Sequence, residues 1–247
     1  MLSEACLALL LDGPMQSWGH SSRFERRTTA LHPTRSGIMG LLAAALGINK
    51  YDANESEQLA RFQSLHFTTI TLPKRPAIRL KFQAKNSEIS NLPILRLEDY
   101  HTVTRIRRAS GKVDDDATVQ TYRHYLLDAR FGVLLEGHVT SLEEIAAALR
   151  NPRWGVWLGR KCCLPASPLL VTLSSNRTET WRELLTRAGY TGTEPVEQFD
   201  HTIEVSASEP GADMIDDAPI GFGKPIGERH APRWIRRVPK SEIVNSK

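Results

Sequence analysis

The chain has 247 residues, 40% of them hydrophobic and 24% charged, which is typical of a globular protein with one large domain or one medium domain and a smaller companion. Its three cysteines (Cys6, Cys162 and Cys163) exclude a disulfide framework and lack metal-ligand spacing, so we expect a cytosolic protein that binds no metal. The net charge is only +4, yet residues 73–112 hold ten Lys or Arg against three acids and residues 194–217 hold eight acids and no base, a segregation that favours a polyanion partner.

The first predicted elements are a buried strand and a helix. A short apolar run from Ala5 to Leu11, followed by an Asp-Gly-Pro turn, is typical of such a strand. After a loop, Thr34 caps a predicted helix through Leu46, and Gly47 ends it. The longest apolar stretch has eleven residues, whereas a bilayer requires about 20, so we expect no membrane contact.

The middle of the chain predicts a long hairpin between two core strands. A short helix over residues 55–65 is followed by a strand with alternating side chains over residues 66–72. Residues 76–127 are basic and strand-prone, with Gly111 and Lys112 at a turn, and they predict a hairpin that projects from the body. The chain then returns as a core strand over residues 129–136.

The later elements are two helices and at least one more strand. Ser141 and Glu144 form a capping box, which predicts a helix over residues 141–149. One or two strands are expected within residues 153–174, and a further helix over residues 178–188.

This order of elements is βαββαβ, the pattern of an α+β, ferredoxin-like domain similar to RNA-recognition modules. We therefore predict a main domain over residues 1–174, with the hairpin inserted at about residues 76–127, and a small β-rich C-terminal region over residues 175–247. Such a fold by itself does not establish a function.

Five short motifs occur in a fixed order between residues 5 and 173. They are Pro14-Met15-Gln16-Ser17-Trp18-Gly19, Pro33-Thr34-Arg35-Ser36-Gly37, Asp99-Tyr100-His101-Thr102-Val103, Val119-Gln120-Thr121-Tyr122-Arg123 and Leu158-Gly159-Arg160-Lys161. Together they resemble the fifth Cas protein family in its type I-E form, within the RAMP superfamily.

The resemblance implies an RNA-recognition-type body with a thumb hairpin. In this family the body caps the 5′ handle of the crRNA inside the Cascade surveillance complex, and the thumb lies between the guide and a neighbouring backbone subunit. It further implies contacts with the large subunit and other Cascade proteins, contact with target DNA only through the complex, no cofactor and no catalytic residue.

The candidate RNA-binding residues are cations that can follow phosphates, aromatic side chains that can stack on bases, and polar neighbours in the same motifs. They are Arg23, Arg26, Arg27, Arg35, Tyr100, His101, Arg105, Arg107, Arg108, Lys112, Gln120, Arg123, Arg160 and Lys161.

Several of these candidate RNA-binding residues have a second interpretation. Arg35 lies at a helix start that favours anions, but an ion pair with an acidic side chain would also explain it. A surface ion pair is likewise the alternative for Arg160, and solvated surface explains any single basic run equally well.

Two other functions stay open. Relatives of the type I-C form cleave precursor crRNA without metal, and Tyr100, His101 and Lys112 could supply a general base and a cation for that reaction. Because adjacent residues of a strand point to opposite faces, Tyr100 and His101 would not converge on one ribose, which favours the non-catalytic function. An RNA-recognition module unrelated to CRISPR is the third hypothesis.

Overall fold

The computed structural model describes residues 4–19, 25–74, 94–107, 113–223 and 229–240. Its helices are α1 (Arg35–Leu46), α2 (Glu55–Ala60), α3 (Val139–Arg150) and α4 (Arg177–Arg187). Its strands are β1 (Glu4–Asp12), β2 (Met15–Gln16), β3 (Trp18–Gly19), β4 (Arg26–Arg27), β5 (Thr29–Ala30), β6 (His66–Thr71), β7 (Leu95–Arg107), β8 (Val113–Leu127), β9 (Arg130–His138), β10 (Leu170–Ser174), β11 (His201–Glu204), β12 (Asp213–Gly221) and β13 (Arg229–Val238). The fold is α+β, with antiparallel sheets and few helices.

A seven-stranded sheet in the order β10-β1-β9-β6-β11-β13-β12 forms the body, and each neighbouring pair is antiparallel. The first strand, β1, lies between β10 and β9 and is buried on both faces. Leu7 and Leu9 pack into the cluster on one face, whereas Ala8 and Leu10 pack into the cluster on the other. Because successive side chains of a strand alternate, burial of both faces requires the continuous apolar run that the sequence contains.

Helices cover the two faces of this sheet separately. On one side α1 packs against α3, and α3 contacts β1, β9 and β10, whereas α4 contacts β1 and β10. The predicted limits of α1 are confirmed: the Thr34 hydroxyl accepts a hydrogen bond from the Gly37 N–H, and Gly47 ends the helix with φ of 76°. None of the helices in the described part of the chain is long and apolar enough to cross a membrane.

Two predicted helices have different ends from those expected. Helix α2 stops at Ala60 instead of Leu65, and the chain continues in separate turns, with the Leu65 N–H donating to the Phe62 carbonyl. Helix α3 starts earlier than predicted, because the His138 ring caps it by accepting a hydrogen bond from the Thr140 N–H. The predicted Ser141 cap was therefore wrong.

The C-terminal strands continue the main sheet. Strand β11 pairs with β6, and β13 then joins β11 to β12. Strands β11, β12 and β13 thus share one sheet with the body, whereas the domain boundary after residue 174 stays a prediction.

The predicted hairpin consists of β7 and β8, which pair antiparallel along most of their length. At the base of the hairpin, β8 also pairs with β2 and, in parallel, with β4. The pairing shifts register between Thr104 and Ile106, where Arg105 adopts a positive φ of 55°, as expected at a β-bulge. The predicted turn at Gly111 and Lys112 and the strand-prone residues 78–82 lie outside the described residues.

Candidate nucleic-acid interface

The base of the hairpin brings the N-terminal loop beside the two hairpin motifs. Arg26 and Arg27 of β4 lie opposite Tyr122 and Arg123 of β8, and the Tyr122 N–H donates to the Glu25 carbonyl at 2.8 Å. Backbone hydrogen bonds therefore hold two of the predicted arginines, which are far away in sequence, against the hairpin.

One face of the hairpin, which we call the tyrosine face, combines aromatic rings with an exposed cation. Tyr100 and Tyr122 are cross-strand partners with ring centroids 5.4 Å apart, and the Arg26 guanidinium lies 5.3 Å from the Tyr122 ring. The Arg26 side chain is 71% exposed and Tyr100 is 52% exposed. Gln120, two residues before Tyr122 in the same strand, lies on this face and is exposed. Flat rings beside an exposed guanidinium suit a stacked base and its phosphate.

A carboxylate reduces the positive charge of the tyrosine face. Glu98 lies 4.0 Å from the Arg26 guanidinium and 2.8 Å from the His124 Nε2. Glu98 and His124 were absent from the predicted site, whereas Tyr122 belongs to one of the sequence motifs and was expected among the stacking aromatic side chains. The signal that would have identified them is period-2 alternation, which places residues 120, 122 and 124 on one face of β8.

The opposite face, which we call the histidine face, is polar and balanced in charge. His101 Nε2 lies 3.5 Å from a carboxylate oxygen of Asp99, and Arg123 Nε donates to the Thr121 hydroxyl at 3.2 Å. Asp99 pairs with Arg123 and His101 pairs with Thr121 across the strands. Since Tyr100 pairs with Tyr122 instead, Tyr100 and His101 lie on opposite faces of the hairpin.

Arg105 and Arg107 lie further along β7, away from the base of the hairpin. Arg105 is exposed and occupies the bulge, and Arg107 is the last residue of β7. Arg23, Arg108 and Lys112 lie outside the described residues.

Arg35 does not lie on the hairpin surface, and its prediction as an RNA contact needs correction. The residue is 5% exposed, and its guanidinium donates to Glu204 at 2.5 Å and to the carbonyl groups of Phe62, Gln63 and Leu65. Because these groups surround the buried guanidinium, a phosphate could reach it only by displacing them. The ion-pair alternative describes Arg35.

Two acidic residues from the C-terminal strands complete this buried cluster. Asp217 accepts a hydrogen bond from the Arg35 N–H at 2.8 Å and two from the Arg233 guanidinium. Glu204 accepts from Arg233 at 2.9 Å as well as from Arg35. Buried charges require such pairing, so this cluster joins the start of α1 to β11, β12 and β13.

Arg160 braces the base of the hairpin. Its guanidinium donates to the Arg27 carbonyl at 2.8 Å and to the His124 carbonyl at 3.4 Å, and it lies 4.9 Å from the ring of the buried Tyr125. The preceding Gly159 has φ of 93°, and a Cβ atom there would lie 1.7 Å from the Ser17 carbonyl oxygen. Lys161 is exposed and lies 5.6 Å from the Trp157 ring.

The Arg160 contacts hold β4 against β8 through main-chain groups. Arg160 therefore positions Arg26 and Arg27. Trp18, in the first of the five motifs, is fully buried and donates from Nε1 to Gln16. Among the residues that the structure describes, no three His, Cys, Asp or Glu side chains group together as metal ligands.

Comparisons with known proteins agree with these motifs. The family model described as CRISPR-associated protein (Cas_Cas5) matches residues 6–226. The chain belongs to the Cas5 family. Within it, the CRISPR system Cascade subunit CasD of Escherichia coli (strain K12) is 35% identical over 168 residues, which are 67% of this chain and 69% of that protein.

Two solved structures share the fold over nearly the whole chain. A chain of a CRISPR RNA-guided surveillance complex superposes with a TM-score of 0.66 and 28% identity, over 95% of this chain and 90% of that one. A crystal structure of a Cas protein gives a TM-score of 0.58 and 28% identity, over 95% of both chains. The Cas5-like fold therefore extends into the last third of this chain.

Proposed function

We propose that this chain is a non-catalytic, crRNA-binding subunit of a type I-E Cascade surveillance complex. In that role it caps the 5′ handle of the crRNA, contacts the backbone and large subunits, and meets target DNA only through the complex. Its 35% identity to a Cascade subunit and its similarity to a chain of an RNA-guided surveillance complex support this role.

The tyrosine face is the single observation that carries the proposal. It places Tyr100 and Tyr122 side by side on a long hairpin, with the exposed Arg26 against the second ring. Stacking on aromatic rings contributes about 1–3 kcal/mol per base and tolerates any sequence. Arg26 supplies the cation that a neighbouring phosphate requires.

The two faces of the hairpin suit two different partners. We assign the tyrosine face, with Gln120 beside it, to the RNA. The histidine face places the Asp99 carboxylate beside His101 and opposite Arg123, so it fits a neighbouring protein surface better than a polyanion. We propose that Arg105, at the bulge of β7, contacts the RNA backbone, whereas Arg27 and Arg123 share the histidine face and are assigned with it to the protein partner.

A ferredoxin-like body is the proposed platform for this hairpin. The two β-α-β units are β1-α1-β6 and β9-α3-β10, and the order β10-β1-β9-β6 interleaves them in one antiparallel sheet. This interleaving supports the ferredoxin-like assignment.

The nuclease alternative receives no support from the register. A metal-independent cleavage would need a base and a second polar group on the same ribose. Tyr100 and His101 lie on opposite faces of β7, and His101 Nε2 lies 3.5 Å from the carboxylate of Asp99.

Co-expression with the other proteins of a type I-E complex tests the proposal. The backbone and large subunits and a crRNA should co-purify with the tagged wild-type chain. Much less RNA should co-purify with the double variant Tyr100→Ala, Tyr122→Ala. The matched control is Tyr51→Ala, because Tyr51 is 70% exposed and belongs to the loop after α1. Purification of the tagged chain alone, without RNA or partner proteins, would contradict the assignment.

A further inference from the structure

A cavity of about 490 Å³ lies between the body sheet and the loop that leads into α1. Its floor comes from three neighbouring strands, because Thr69 of β6 lies opposite Thr202 of β11, which in turn lies opposite Arg237 of β13. Cross-strand partners share one face of a sheet, so these three side chains form a polar row. Thr71, two residues after Thr69, adds a second hydroxyl of β6 to the same face.

Apolar side chains form the rest of the cavity. Phe131 of β9 is the cross-strand partner of Thr71 and is fully buried. Leu31 of the loop before α1 and Ile94, which immediately precedes β7, also line the cavity and place it beside the base of the hairpin. Ligand pockets typically have volumes of about 300–1,000 Å³ and combine apolar walls with a few polar groups, as this cavity does.

Two polar groups in the row lack partners in the part of the chain that the structure describes. Thr69 is 7% exposed, and its hydroxyl makes no hydrogen bond there. The exposed Arg237 guanidinium makes no ion pair or hydrogen bond with those residues either. Lys240 also lines the cavity, and the carboxylate of Asp200 accepts a hydrogen bond from its N–H at 3.0 Å. Two cations against one acid favour an anionic ligand.

Two histidines supply hydrogen-bond acceptors. His32 Nδ1 lies 3.2 Å from the Pro33 carbonyl oxygen, and His201 Nδ1 lies 2.8 Å from the Phe199 carbonyl oxygen. Because a carbonyl only accepts, Nδ1 is the donor in each pair, and Nε2 of a neutral ring stays an acceptor. Burial lowers the pKa of His32, and the charge of Arg237 acts in the same direction, so this ring is neutral at pH 7.

We propose that this cavity binds one nucleotide, with its phosphate on Arg237 and its base against the apolar walls. An arginine suits a phosphate, and threonine hydroxyls and histidine Nε2 atoms suit the ribose hydroxyls and the polar edge of a base. An inorganic anion would leave the apolar walls without contacts, and a purely apolar ligand would leave the polar row without hydrogen bonds.

Two sources can supply this nucleotide. One is a free nucleoside monophosphate. The other is a single unstacked nucleotide of the crRNA where the RNA passes the base of the hairpin, since proteins that read single-stranded RNA take up such splayed bases. The second source rests on the proposed function, whereas the first does not.

Isothermal titration calorimetry of the full chain with each nucleoside monophosphate tests the cavity. We expect saturable binding at one site, weakened about tenfold or more by Arg237→Ala and less by Thr202→Val. The matched control is Arg236→Ala, because Arg236 is adjacent in β13 but lies on the other face and pairs with Glu209. Equal losses for both arginine variants, or inorganic phosphate that binds as tightly as the nucleotides, would overturn the proposal.

Photocrosslinking distinguishes the two sources. The probe is crRNA with thiouridine at single positions of its 5′ handle, irradiated with the full chain and followed by peptide mapping. A nucleotide of the RNA should crosslink next to Leu31 or Ile94, compete with free nucleotide and lose the crosslink in Arg237→Ala. If the ligand is a free nucleotide, the crRNA-loaded chain should bind it unchanged and show no such crosslink.

The failures of the two proposals are distinguishable. A chain that binds no free nucleotide and forms no crosslink at the cavity would overturn the nucleotide site, even where it binds crRNA through the hairpin. A chain that binds free nucleotides but no crRNA would support the site and count against the proposed function.

Discussion

Arg26 and Arg35 lie only nine positions apart and were predicted for the same role, yet the structure places them in opposite environments. The Arg26 side chain is 71% exposed beside Tyr122, whereas the Arg35 side chain is 5% exposed among Glu204, Asp217 and Arg233. A cation in water binds a transient polyanion at little cost to the fold, but a buried cation must be paired within the fold. Burial thus separates a binding arginine from a structural one.

The largest expected effect comes from breaking the buried cluster. Arg35→Ala leaves the buried Glu204 with one cation fewer, and such a loss should lower the free energy of unfolding by about 3–5 kcal/mol. Urea denaturation followed by circular dichroism measures the change. Arg61→Ala is the matched control, because its ion pair with Glu144 is exposed and should contribute less than about 1 kcal/mol. Equal, small losses for both variants would show that the cluster is not structural.

Substitutions on the tyrosine face should weaken RNA binding and leave the stability of the fold almost unchanged. Tyr100→Ala and Tyr122→Ala should each weaken crRNA binding by about 1–3 kcal/mol, since each removes a stacking surface. The free energy of unfolding should change little for Tyr100→Ala because that side chain is 52% exposed. Fluorescence anisotropy with labelled handle RNA measures the affinity, and Tyr51→Ala serves as the control. Wild-type affinity in both hairpin variants would assign the tyrosine face to another partner.

The salt dependence of RNA binding distinguishes an arginine that contacts a phosphate from one that only stabilises the hairpin. If Arg26 contacts a phosphate, Arg26→Ala should reduce the slope of log K against log salt by about 0.7. Arg160→Ala should weaken binding without changing that slope, because the Arg160 donors bind the Arg27 and His124 carbonyls. Arg187→Ala, on the exposed side of α4, should change neither quantity. A reduced slope for Arg160→Ala would show that Arg160 itself contacts an RNA phosphate.

The smallest expected effect concerns Glu194, one of the eight acids between residues 194 and 217 and not a member of the buried cluster of Arg35, Glu204, Asp217 and Arg233. Partial burial raises its pKa, but hydrogen bonds from the main chain of Thr191 and Gly192 outweigh burial, and the pKa falls to about 2. A lowered pKa stabilises the fold above the ordinary Glu value, and this stabilisation is lost as pH falls through about 2. Acid unfolding of Glu194→Gln should therefore depend less on pH than that of the wild type. An identical pH dependence of the two proteins would show that these hydrogen bonds add nothing to stability.

Local signals explain which parts of the fold could be predicted from the sequence. The apolar run of β1, the Thr34 cap and the Gly47 stop each act within a few residues, and the structure agrees with them. The hairpin followed from strand-prone motifs on both sides of a turn. Contacts between residues that are far apart in sequence left no such signal. Arg35 binds Glu204 and Asp217 at separations of 169 and 182 residues, so its motif could not distinguish an ion pair from a phosphate site.

The sequence predicted which segments contribute to the candidate site, but not how their side chains are arranged on one surface. Basic and aromatic residues identified the loop, the hairpin and the Gly159-Arg160 turn. The pairing of β4 with β8, which brings Arg26 to Tyr122, depends on backbone bonds between segments almost a hundred residues apart. Assignment of Arg160 as a brace likewise depends on its two carbonyl partners, which only the folded chain brings together.

Incubation of the purified chain with labelled CRISPR repeat RNA in EDTA tests the non-catalytic, RNA-binding role most directly. We expect a salt-dependent complex in which the RNA stays intact, and we expect His101→Ala to leave it intact as well. Cleavage at one position without metal, abolished by His101→Ala, would contradict this role and establish a nuclease.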